Sequence, residues 1–484
     1  MPLGEAKPIL TLEQVLAQYP LPFELEQLQK EDIHKLAHWD TGLGDLPVGY
    51  GKTVIATCVA LMWQSTQTII LVPPILVPQW VKWLNSITGE DTAIEYGGGP
   101  AARAKIDVTN YRWLVMSYGI FRNDIKRLLK ELKNVDVSAV MDEAQNAKNY
   151  RSQLFKDFKQ FTEDRRFLMM SGTIMSHVGD AYAYIKLTNP QAYASHKNFE
   201  NIHVADRDFW ERPTAWHNLD LLQTNLNHRR AYRSKEEVHA ALPKARVVPV
   251  YYDLPREHMK LYRRLMEEQL LLLDDGSKID ATTAQTLYHA AQQIITNWGY
   301  YAGDESKQAM VLDLIDTIAD EIGLGETVDA GLPERSKLIL WTQYKRTSRT
   351  VFDHMNTYLG KLQAGRYGVG AWSEMNARKQ VALFMDDPNA ANLTAQPGSA
   401  GAGLNPQHLC WECAFVEIPT RTIPFVQASG RIDRKGQRYN PTIRLLIARG
   451  TIQERLFQNL LENDALVNSA SGTRQGIKNM IFPD

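Results

Sequence analysis

LPVGYGKT, residues 46–53, runs directly into the apolar stretch VIATCVALMW, residues 54–63, and this junction decides the fold. The Gly-Lys-Thr ending, followed by residues with helical character, predicts a loop whose backbone N–H groups point at an anion from a helix N-terminus. A lone Gly-Lys-Thr arises by chance, and the preceding stretch HWDTGLGD is poorly hydrophobic for a strand. The interpretation therefore depends on what surrounds the loop.

Each residue of this loop has a predicted role in holding a nucleotide and its metal. Lys52 would neutralise the β and γ phosphates, and the Thr53 hydroxyl would bind Mg²⁺. Gly49 and Gly51 would let the backbone approach the ligand, because they have no Cβ. Tyr50, between the two glycines, is also predicted to contact the nucleotide.

Outward from the loop, short apolar strands alternate with helical stretches, a pattern typical of a parallel sheet wound with helices. The predicted strands of this first series are 68–72, 112–116, 137–141 and 167–170. A second series, which indicates a second α/β lobe, comprises a strand starting at 337 and the strands 413–418 and 442–448. Residues 189–335, between the series, are richer in amphipathic helical stretches, with a strand only at 247–252.

Two carboxylates follow a predicted strand of the first series, in the segment MDEAQ, residues 141–145. A carboxylate at a strand end can hold the hydration shell of Mg²⁺, and its neighbour can polarise an attacking water. Asp142 suits the first role and Glu143 the second. By itself the pair would more commonly be a solvated acidic turn, but its position after Lys52 favours the catalytic interpretation.

Two arginines lie three positions apart in QASGRIDRKGQ, residues 427–437. Arg431 and Arg434 would share one face if this segment were helical, and both guanidiniums could then point at one anion. An arginine that reaches a γ-phosphate from the second lobe would explain why two lobes exist. The alternative is a basic surface turn.

Taken in order along the chain, these segments resemble the motifs of superfamily 2 helicases, closest to the SWI/SNF-type DNA translocases. The resembling motifs are LQKEDIHKL for the Q motif, LPVGYGKT for motif I, LVPPILVPQW for motif Ia, MDEAQ for motif II, LMMSGT for motif III, PGSAGAGLN for motif V and QASGRIDRKGQ for motif VI. HRRAYRSKEEVHAALPK, residues 228–244, and KLILWTQY, residues 337–344, are similar to further SWI/SNF segments. The match covers most of residues 23–460.

The resemblance implies an α/β fold with two RecA-like parallel-sheet lobes in tandem and a helical insertion between them. The implied domains are an N-terminal extension at 1–22, lobe 1 at 23–188, the helical insertion and interlobe linker at 189–335, lobe 2 at 336–470 and a C-terminal tail at 471–484. It implies ATP and Mg²⁺ as cofactors. Gln29 would read adenine, Gly403 and Gln427 would line the cleft, and Gln145 with residues 171–173 would couple hydrolysis to motion.

Three departures from the SWI/SNF pattern leave the subgroup open. Motif II ends in Gln145 where these proteins usually carry histidine, and Thr173 lacks the usual proline after it. QPG, residues 396–398, precedes motif V and is unusual there. The chain's small size also resembles the branch-migrating helicases of large tailed phages.

The resemblance extends to DNA contacts made by backbone amides and hydroxyl groups, which position a strand without reading its sequence. The predicted DNA-binding residues are Pro73, Gln79, Ser117, Thr342, Ser399 and Gly401. Tyr367 and Trp372 would stack on bases, although an aromatic residue near a strand end is more often core. Arg229, Arg230 and Arg233 would either track the DNA backbone or form salt bridges between the lobes.

Composition constrains the class of protein but does not identify its partner. The 484 residues carry 54 Lys plus Arg against 55 Asp plus Glu, so any DNA surface must be a local patch. Three cysteines are too few for a disulfide scaffold and indicate a reducing compartment, the cytoplasm of a bacterium or phage-infected host. No apolar run approaches the roughly 20 residues that span a bilayer. We expect a monomer.

The function predicted from the sequence is an ATP-dependent DNA helicase or translocase that remodels branched or forked DNA. One alternative is a duplex translocase that displaces proteins without separating strands, and another is an RNA helicase. A nucleotide-dependent switch that binds without moving is a further alternative, against which Lys52, Glu143 and Arg434 together argue.

Overall fold

A computed structural model describes residues 8–209, 211–238, 243–268, 270–272, 278–280, 284–304, 306–324, 336–362, 365–372, 374–400 and 404–471. The chain divides into two compact units. Unit 1 comprises Met1–Ala240 and Leu466–Gln475, and unit 2 comprises Ala241–Ala465 and Gly476–Asp484. Each unit contains one parallel sheet with helices, so the predicted fold class is confirmed.

Unit 1 contains a seven-stranded sheet and a separate hairpin. Its strands are β1 Thr41–Asp45, β2 Gln67–Val72, β3 Ala93–Glu95, β4 Trp113–Ser117, β5 Val137–Met141, β6 Phe167–Ser171, β7 Val204–Arg207, β8 Pro213–Trp216 and β9 Arg230–Tyr232. The sheet order is β3-β4-β2-β5-β6-β1-β9, with every pair parallel. β7 and β8 pair with each other and are antiparallel.

Helices cover both faces of this sheet. They are α1 Leu12–Gln18, α2 Gln27–Ala37, α3 Lys52–Met62, α4 Val77–Thr88, α5 Pro100–Ala104, α6 Tyr118–Glu131, α7 Gln153–Thr162, α8 Ala181–Thr188, α9 His196–His203, α10 Leu219–Leu226 and α11 Lys235–Val238. Single 3₁₀ turns span Pro74–Leu76, Val108–Asn110, Ala144–Ala147, Val178–Asp180 and Asn227–Arg229. Successive residues of β2 alternate between two buried clusters, Ile69 in one and Ile70 in the other, as a strand buried on both faces requires.

The poorly hydrophobic stretch before the phosphate loop does form a strand, β1, between β6 and β9. Its two glycines account for its low hydrophobicity, and Gly44 also allows β1 to pack closely against β6. A Cβ at Gly44 would lie 2.5 Å from Met170 Sδ of β6, so the neighbouring strand occupies the space that a side chain would need. Gly44 is therefore required by close packing.

Unit 2 contains a six-stranded parallel sheet of order β10-β17-β16-β13-β15-β14 and the antiparallel pair β11–β12. Its strands are β10 Arg246–Tyr252, β11 Leu270–Leu272, β12 Lys278–Asp280, β13 Leu338–Trp341, β14 Tyr367–Ala371, β15 Ala390–Ala395, β16 Glu412–Phe415 and β17 Thr442–Ala448. The remaining helices are α12 Arg256–Glu268, α13 Ala284–Thr296, α14 Trp298–Tyr301, α15 Met310–Glu321, α16 Lys345–Leu362, α17 Glu374–Asp386, α18 Pro397–Ala400, α19 Thr422–Ser429 and α20 Ile452–Ser471.

The segment 189–335, predicted as one insertion and linker, contributes to both units. Its described part supplies α9–α11 and β7–β9 to unit 1, and β10–β12 with α12–α15 to unit 2. β9 and β10 are edge strands of the two main sheets. The sequence patterns missed β7, β8 and β9 because strands of three or four residues are too short to show alternation. Across the described ranges, no helix is long and apolar enough to cross a membrane.

Candidate functional site

The phosphate loop connects the end of β1 to the first residue of α3 in unit 1. Gly49 and Gly51 have φ values of 84° and 89°, a left-handed conformation that residues with a Cβ adopt only with strain. Gly51 is the N-cap residue of α3. Because glycine has no side chain, no N-cap side chain accepts a hydrogen bond from the first backbone amides of the helix. The loop therefore has the geometry that favours an anion.

The Lys52 side chain folds back across the loop. Its Nζ donates to the carbonyl oxygens of Leu46 and Pro47, each at 3.2 Å. A Cβ at Gly172, in the segment that follows β6, would lie 3.2 Å from the same Nζ. The ammonium group thus lies between the phosphate loop and the segment predicted as motif III.

Tyr50, predicted to contact nucleotide, is only 2% exposed, so its buried ring does not suit such a contact, while a contact through its backbone stays a prediction. Its hydroxyl donates to Asp32 Oδ2 of α2 at 2.9 Å. Gln29, also of α2, donates from Nε2 to the Tyr50 carbonyl at 2.8 Å and accepts from the Glu26 N–H at 2.9 Å. Both ends of the Gln29 amide are therefore engaged with protein, and its reading of adenine stays a prediction.

The acidic residues follow β5, as predicted. Asp142 is buried, its Oδ1 accepts from the Glu143 N–H at 2.9 Å and its Oδ2 accepts from Trp80 Nε1 at 3.1 Å. Burial, and then the negative charge of Glu143, raise the pKa of Asp142 to about 6, while the positive charge of Lys52 opposes the rise. A buried carboxylate with this environment is stabilised by an added cation, so the residues fit Mg²⁺.

Glu143 has backbone strain that suits a functional position. Its φ and ψ are both 51°, the left-handed region, which is unfavourable for a residue with a long side chain. The Tyr118 hydroxyl fixes the same turn by donating to the Asp142 carbonyl oxygen. Sequence reasoning missed Trp80 and Tyr118, although Trp80 ends the quoted segment LVPPILVPQW and so lay within a recognised motif.

Hydrogen bonds link the acidic turn to the end of β6 without a break. Gln145 donates from Nε2 to Glu143 Oε2 at 2.7 Å, and its Oε1 accepts from the Ser171 hydroxyl at 2.6 Å. Ser171 Oγ in turn accepts from the Thr173 N–H at 3.0 Å. We call this chain of residues 143, 145, 171 and 173 the relay. The relay therefore connects Glu143 to the backbone of Thr173 through the side chains of Gln145 and Ser171.

The predicted arginines of unit 2 are not on a helix. α19 ends at Ser429, and Arg431 and Arg434 follow in turns, so the condition of a shared helical face is not met. The positive charge of Arg431 nevertheless acts on Arg434. Burial, and then this charge, lower the pKa of Arg434 to about 10. Arg434 donates to the side-chain oxygen of Asn405. Gln427 lies in α19, and Gly403 lies outside the described residues.

The predicted DNA contacts differ in their accessibility. Thr342 was predicted wrongly, because it is fully buried, with its hydroxyl 2.7 Å from Ser348 Oγ. Ser117 caps α6 by accepting from the Ile120 N–H at 3.4 Å. The remaining predicted contacts are Gln79, exposed in α4; Pro73, before the turn Pro74–Leu76; Ser399, whose backbone lies in α18; and Gly401, outside the described residues.

The arginine side chains of the cluster after α10 bond to hydroxyl and carboxylate groups of unit 1. Arg229 donates to Thr41 Oγ1 at 2.7 Å, Arg230 forms a buried ion pair with Asp45, and Arg233 donates to Asp32. All three therefore hold β1 or α2 beside the phosphate loop.

The aromatic residues predicted to stack on bases pack within unit 2. Tyr367 donates to Asp387 Oδ2 at 2.6 Å, and the ring of Trp372 meets Phe352 edge to face at 5.3 Å. Cys410 and Cys413 are buried, and burial raises the pKa of Cys410 to about 12. The contacts of Tyr367 and Trp372 favour the alternative that these aromatic residues belong to the core.

Comparison with known proteins identifies relatives across most of the chain. The family model described as the SNF2-related domain matches residues 31–296. An uncharacterized ATP-dependent helicase of Mycoplasma pneumoniae is 25% identical over 73% of this chain and 32% of its own length. Another ATP-dependent helicase, of Mycoplasma genitalium, is 23% identical over 92% of this chain and 42% of its own length. The TATA-binding protein-associated factor MOT1 of Saccharomyces cerevisiae is 22% identical over 89% of this chain and 26% of its own length. The chain thus spans about a quarter to two fifths of these relatives.

Two solved structures align over nearly the whole chain. The Sulfolobus solfataricus SWI2/SNF2 ATPase core in complex with dsDNA is 19% identical, covers 95% of this chain and 96% of its own, and has a TM-score of 0.43. The Pyrococcus furiosus Hef helicase domain is 16% identical, covers 93% and 99%, and has a TM-score of 0.48.

Proposed function

This chain belongs to the SNF2-related family of ATP-hydrolysing helicases and translocases, and from that premise we propose that it is a DNA-stimulated ATPase that remodels branched or forked DNA by branch migration. The observation that carries the proposal is the relay beside the phosphate loop. It joins Glu143, predicted to act on ATP, to the segment 171–173, predicted to couple hydrolysis to motion. A protein that only binds nucleotide has no need of such a connection.

In this proposal the unit 1 residues divide the work of hydrolysis. Lys52 would neutralise phosphate charge, Thr53 and Asp142 would hold Mg²⁺, and Glu143 would orient and deprotonate the attacking water. When bound, Mg²⁺ supplies charge neutralisation of the phosphate oxygens. In unit 2, Arg431 and Arg434 would stabilise the charge that develops on the γ-phosphate.

The acid–base role of Glu143 suits its surroundings. Its Oε2 already accepts the Gln145 amide at 2.7 Å, so one oxygen is fixed in direction. Loss of the γ-phosphate would change the electrostatic interactions of the Glu143 carboxylate. The hydrogen bonds of the relay would then transmit that change to Thr173. We infer that DNA contacts of unit 1 respond through this route.

One experiment tests the function directly. The ATPase rate is titrated against single-stranded, duplex, forked and four-way DNA, and movement of a synthetic four-way junction is followed in parallel. We expect the greatest stimulation by forked or four-way DNA and ATP-dependent movement of the junction. Failure to move either a fork or a junction, with ATPase intact, would remove branch migration.

Variants assign the chemistry. Lys52→Ala and Glu143→Gln should each reduce turnover by about 100-fold or more, because each removes a group that acts on the transition state. Lys156→Ala, which removes an exposed charge from α7 of the same unit, is the matched control and should turn over normally. Near-normal ATPase in either of the first two variants would contradict the assigned roles.

A second function is favoured by the names of two relatives. MOT1 is named as a TATA-binding protein-associated factor, and the Arabidopsis thaliana protein CHROMATIN REMODELING 4, which is 20% identical over 90% of this chain, is named for chromatin remodeling. A duplex translocase that displaces bound proteins without separating strands would fit those names. Strand-displacement and protein-displacement assays run side by side distinguish the two functions, and stimulation by RNA in place of DNA would indicate an RNA helicase.

A further inference from the structure

Unit 2 contains a buried carboxylate that is stabilised without a cation. Glu417 lies two residues beyond the end of β16, and its side chain is fully buried. Thr347 and Thr296 donate from their hydroxyls to Oε1 at 2.5 Å and 3.0 Å. The Gln343 N–H donates to Oε2 at 2.6 Å. Among the described residues, no lysine or arginine forms an ion pair with this group, so its charge depends on neutral hydrogen-bond donors.

The donors come from three different elements of unit 2. Thr347 is in the first turn of α16, Thr296 is the last residue of α13, and Gln343 follows β13. Asn297, the next residue after α13, donates from Nδ2 to Thr347 Oγ1 at 2.9 Å and to Thr296 Oγ1 at 3.0 Å. Its Oδ1 accepts from the Thr350 hydroxyl at 3.0 Å. Helix α13, from the predicted insertion, is therefore bonded both to α16 and to the ends of strands in the main sheet.

The same network reaches the segment predicted as motif V through Gln396. Its Nε2 donates to the Gln343 carbonyl at 2.9 Å, so Gln343 is bonded to Gln396 by its C=O and to Glu417 by its N–H. Gln396 begins the unusual QPG, residues 396–398. Its own N–H donates to the Ala371 carbonyl at 3.2 Å, at the end of β14. The departure from the SWI/SNF pattern thus supplies the side chain that joins motif V to the segment resembling motif IV.

A second buried carboxylate on the same strand provides a comparison. Glu412, at the start of β16, forms a buried ion pair with Arg444 of β17. Ionised carboxylates are costly to bury unless they are paired, and apolar residues of similar volume are often as stable. Glu412 follows that rule, whereas Glu417 has no cation. Glu417 also lies at the carboxyl ends of the strands, where parallel sheets bind their ligands, so its position favours a role beyond stability.

We propose that Glu417 is a positioning residue for the response to DNA. It fixes the Gln343 backbone, and through Gln343 it fixes Gln396 and the start of motif V, relative to α13. This inference rests on the proposed function, in which the motif V segment binds DNA. DNA that binds at motif V then meets a preformed arrangement, so less backbone has to be ordered on binding. The insertion takes part because α13 supplies Thr296, one of the donors to the carboxylate.

Two variants interrupt the network at different points, and affinity for duplex DNA is measured by fluorescence anisotropy without ATP. Glu417→Gln keeps the side-chain volume but removes the charge and one acceptor oxygen. Since a hydrogen bond to a charged group changes an equilibrium by about 10- to 150-fold, this variant should weaken DNA binding within that range. Gln396→Ala removes only the link to motif V and leaves Glu417 in place. It loses a bond between neutral groups and should weaken binding by about 2- to 10-fold.

Glu412→Gln is the matched control, because it removes a buried carboxylate from the opposite end of the same strand. It should lower stability in urea and leave DNA affinity unchanged. Amide hydrogen exchange of the full chain adds a measurement of position without DNA. Residues 343–350 should exchange faster in Glu417→Gln than in wild type, and they should exchange at the wild-type rate in Glu412→Gln.

The pH dependence of DNA affinity provides a readout that a merely structural role would not move. Burial raises the pKa of Glu417 to about 7, and its hydrogen-bond donors oppose the rise. Its charge also acts on Tyr252, Tyr301 and Tyr344, but burial raises the pKa of each tyrosine, so all three stay neutral. As pH falls from about 8 to about 6, Glu417 gains a proton and accepts hydrogen bonds less strongly. Over this range wild type should lose more DNA affinity than Glu417→Gln.

The outcomes separate this inference from the proposed function. If DNA binds to wild type but does not stimulate its ATPase, the motor proposal fails, and the affinities of the variants still decide the role of Glu417. Wild-type affinity in both Glu417→Gln and Gln396→Ala overturns the positioning role, whatever the motor does. Equal weakening in Glu412→Gln and Glu417→Gln overturns it as well, because loss of any buried charge would then have the same effect. If Glu417→Gln does not fold, Gln396→Ala decides the question.

Discussion

Removal of one hydroxyl, in Tyr50→Phe, tests whether a buried charge network holds the phosphate loop. The Asp32 carboxylate is fully buried and accepts from Tyr50 at 2.9 Å and from Arg233 Nε at 3.0 Å. Burial and the neighbouring Asp32 raise the pKa of Tyr50 far above its usual range, so the hydroxyl remains a donor at any working pH. Arg233 also donates to Glu31 at 2.8 Å.

The magnitude follows from the charge on the acceptor. A hydrogen bond to a charged group contributes about 1.5–3 kcal/mol, so Tyr50→Phe should lower the free energy of unfolding by about 2 kcal/mol. Arg233→Ala leaves a buried carboxylate without its cation and should cost about 3–5 kcal/mol. Because both side chains act on Asp32, the double variant should depart from additivity by about 0.5–3 kcal/mol.

The assay is a double-mutant cycle with two readouts. Urea denaturation gives the stability terms, and steady-state kinetics give KM for ATP and kcat. We expect KM to rise in Tyr50→Phe, with a smaller change in kcat, because the loop that binds phosphate loses a support but keeps Lys52. Tyr19→Phe is the control, since Tyr19 also bonds an arginine, Arg112 at 2.6 Å, away from the loop.

Salt dependence provides the result that would refute this reasoning. An arginine that contacts a DNA phosphate changes the slope of log affinity against log salt by about one when it is removed. Arg233 should leave that slope unchanged, because its guanidinium is bound to Asp32 and Glu31. A slope reduced by about one, together with unchanged stability and strict additivity with Tyr50→Phe, would place Arg233 on DNA and not on the loop.

Three further predictions concern the relay and unit 2. Ser171→Ala breaks the relay while sparing the acidic residues, so ATP hydrolysis should persist and the length of DNA displaced per ATP should fall; strand displacement and phosphate release measured together check this. Thr342→Val should cost about 1 kcal/mol in urea denaturation without altering DNA affinity, because the hydroxyl is buried against Ser348. Burial raises the pKa of Glu417 from 4.5 to about 7. The folded chain therefore holds this proton more tightly than the unfolded chain, and stability should fall by about 3 kcal/mol as pH rises from about 4.5 to about 7 and stay lower above it. Glu417→Gln should remove that fall, as urea midpoints from pH 4.5 to 8 would show.

The parts of the fold that could be predicted from sequence are those with a local signal. β5 and β17 were predicted at their observed bounds, because a continuous apolar run next to a polar loop marks a strand buried on both faces. β1 was ambiguous, since its Gly44 packs against Met170, a residue 126 positions later that no local pattern reveals. The shared helical face predicted for Arg431 and Arg434 was not found, because α19 ends at Ser429, before both arginines.

The candidate site divides in the same way. The positions of Lys52 at the start of α3 and of Asp142 and Glu143 after β5 could be predicted, because each is tied to a local pattern beside a helix or strand. Trp80 and Asp32, which hold Asp142 and Tyr50, were missed because each contact joins residues from different elements, which no local pattern reveals. The arginines at 229–233 were predicted as a possible DNA surface for the same reason, because their partners Thr41, Asp45 and Asp32 lie far earlier in the sequence.

Leu46 shows why the departure from the common phosphate-loop pattern is compatible with function. Its side chain is fully buried, its N–H donates to the Ser171 carbonyl at 2.9 Å, and its own carbonyl accepts from Lys52. The chain at this position still continues the sheet, and the left-handed turns that need glycine come later, at Gly49 and Gly51. An apolar residue is therefore favoured over glycine here. Ser171 consequently holds the loop through its backbone and the relay through its side chain, which is why Ser171→Ala should uncouple hydrolysis from motion without preventing nucleotide binding.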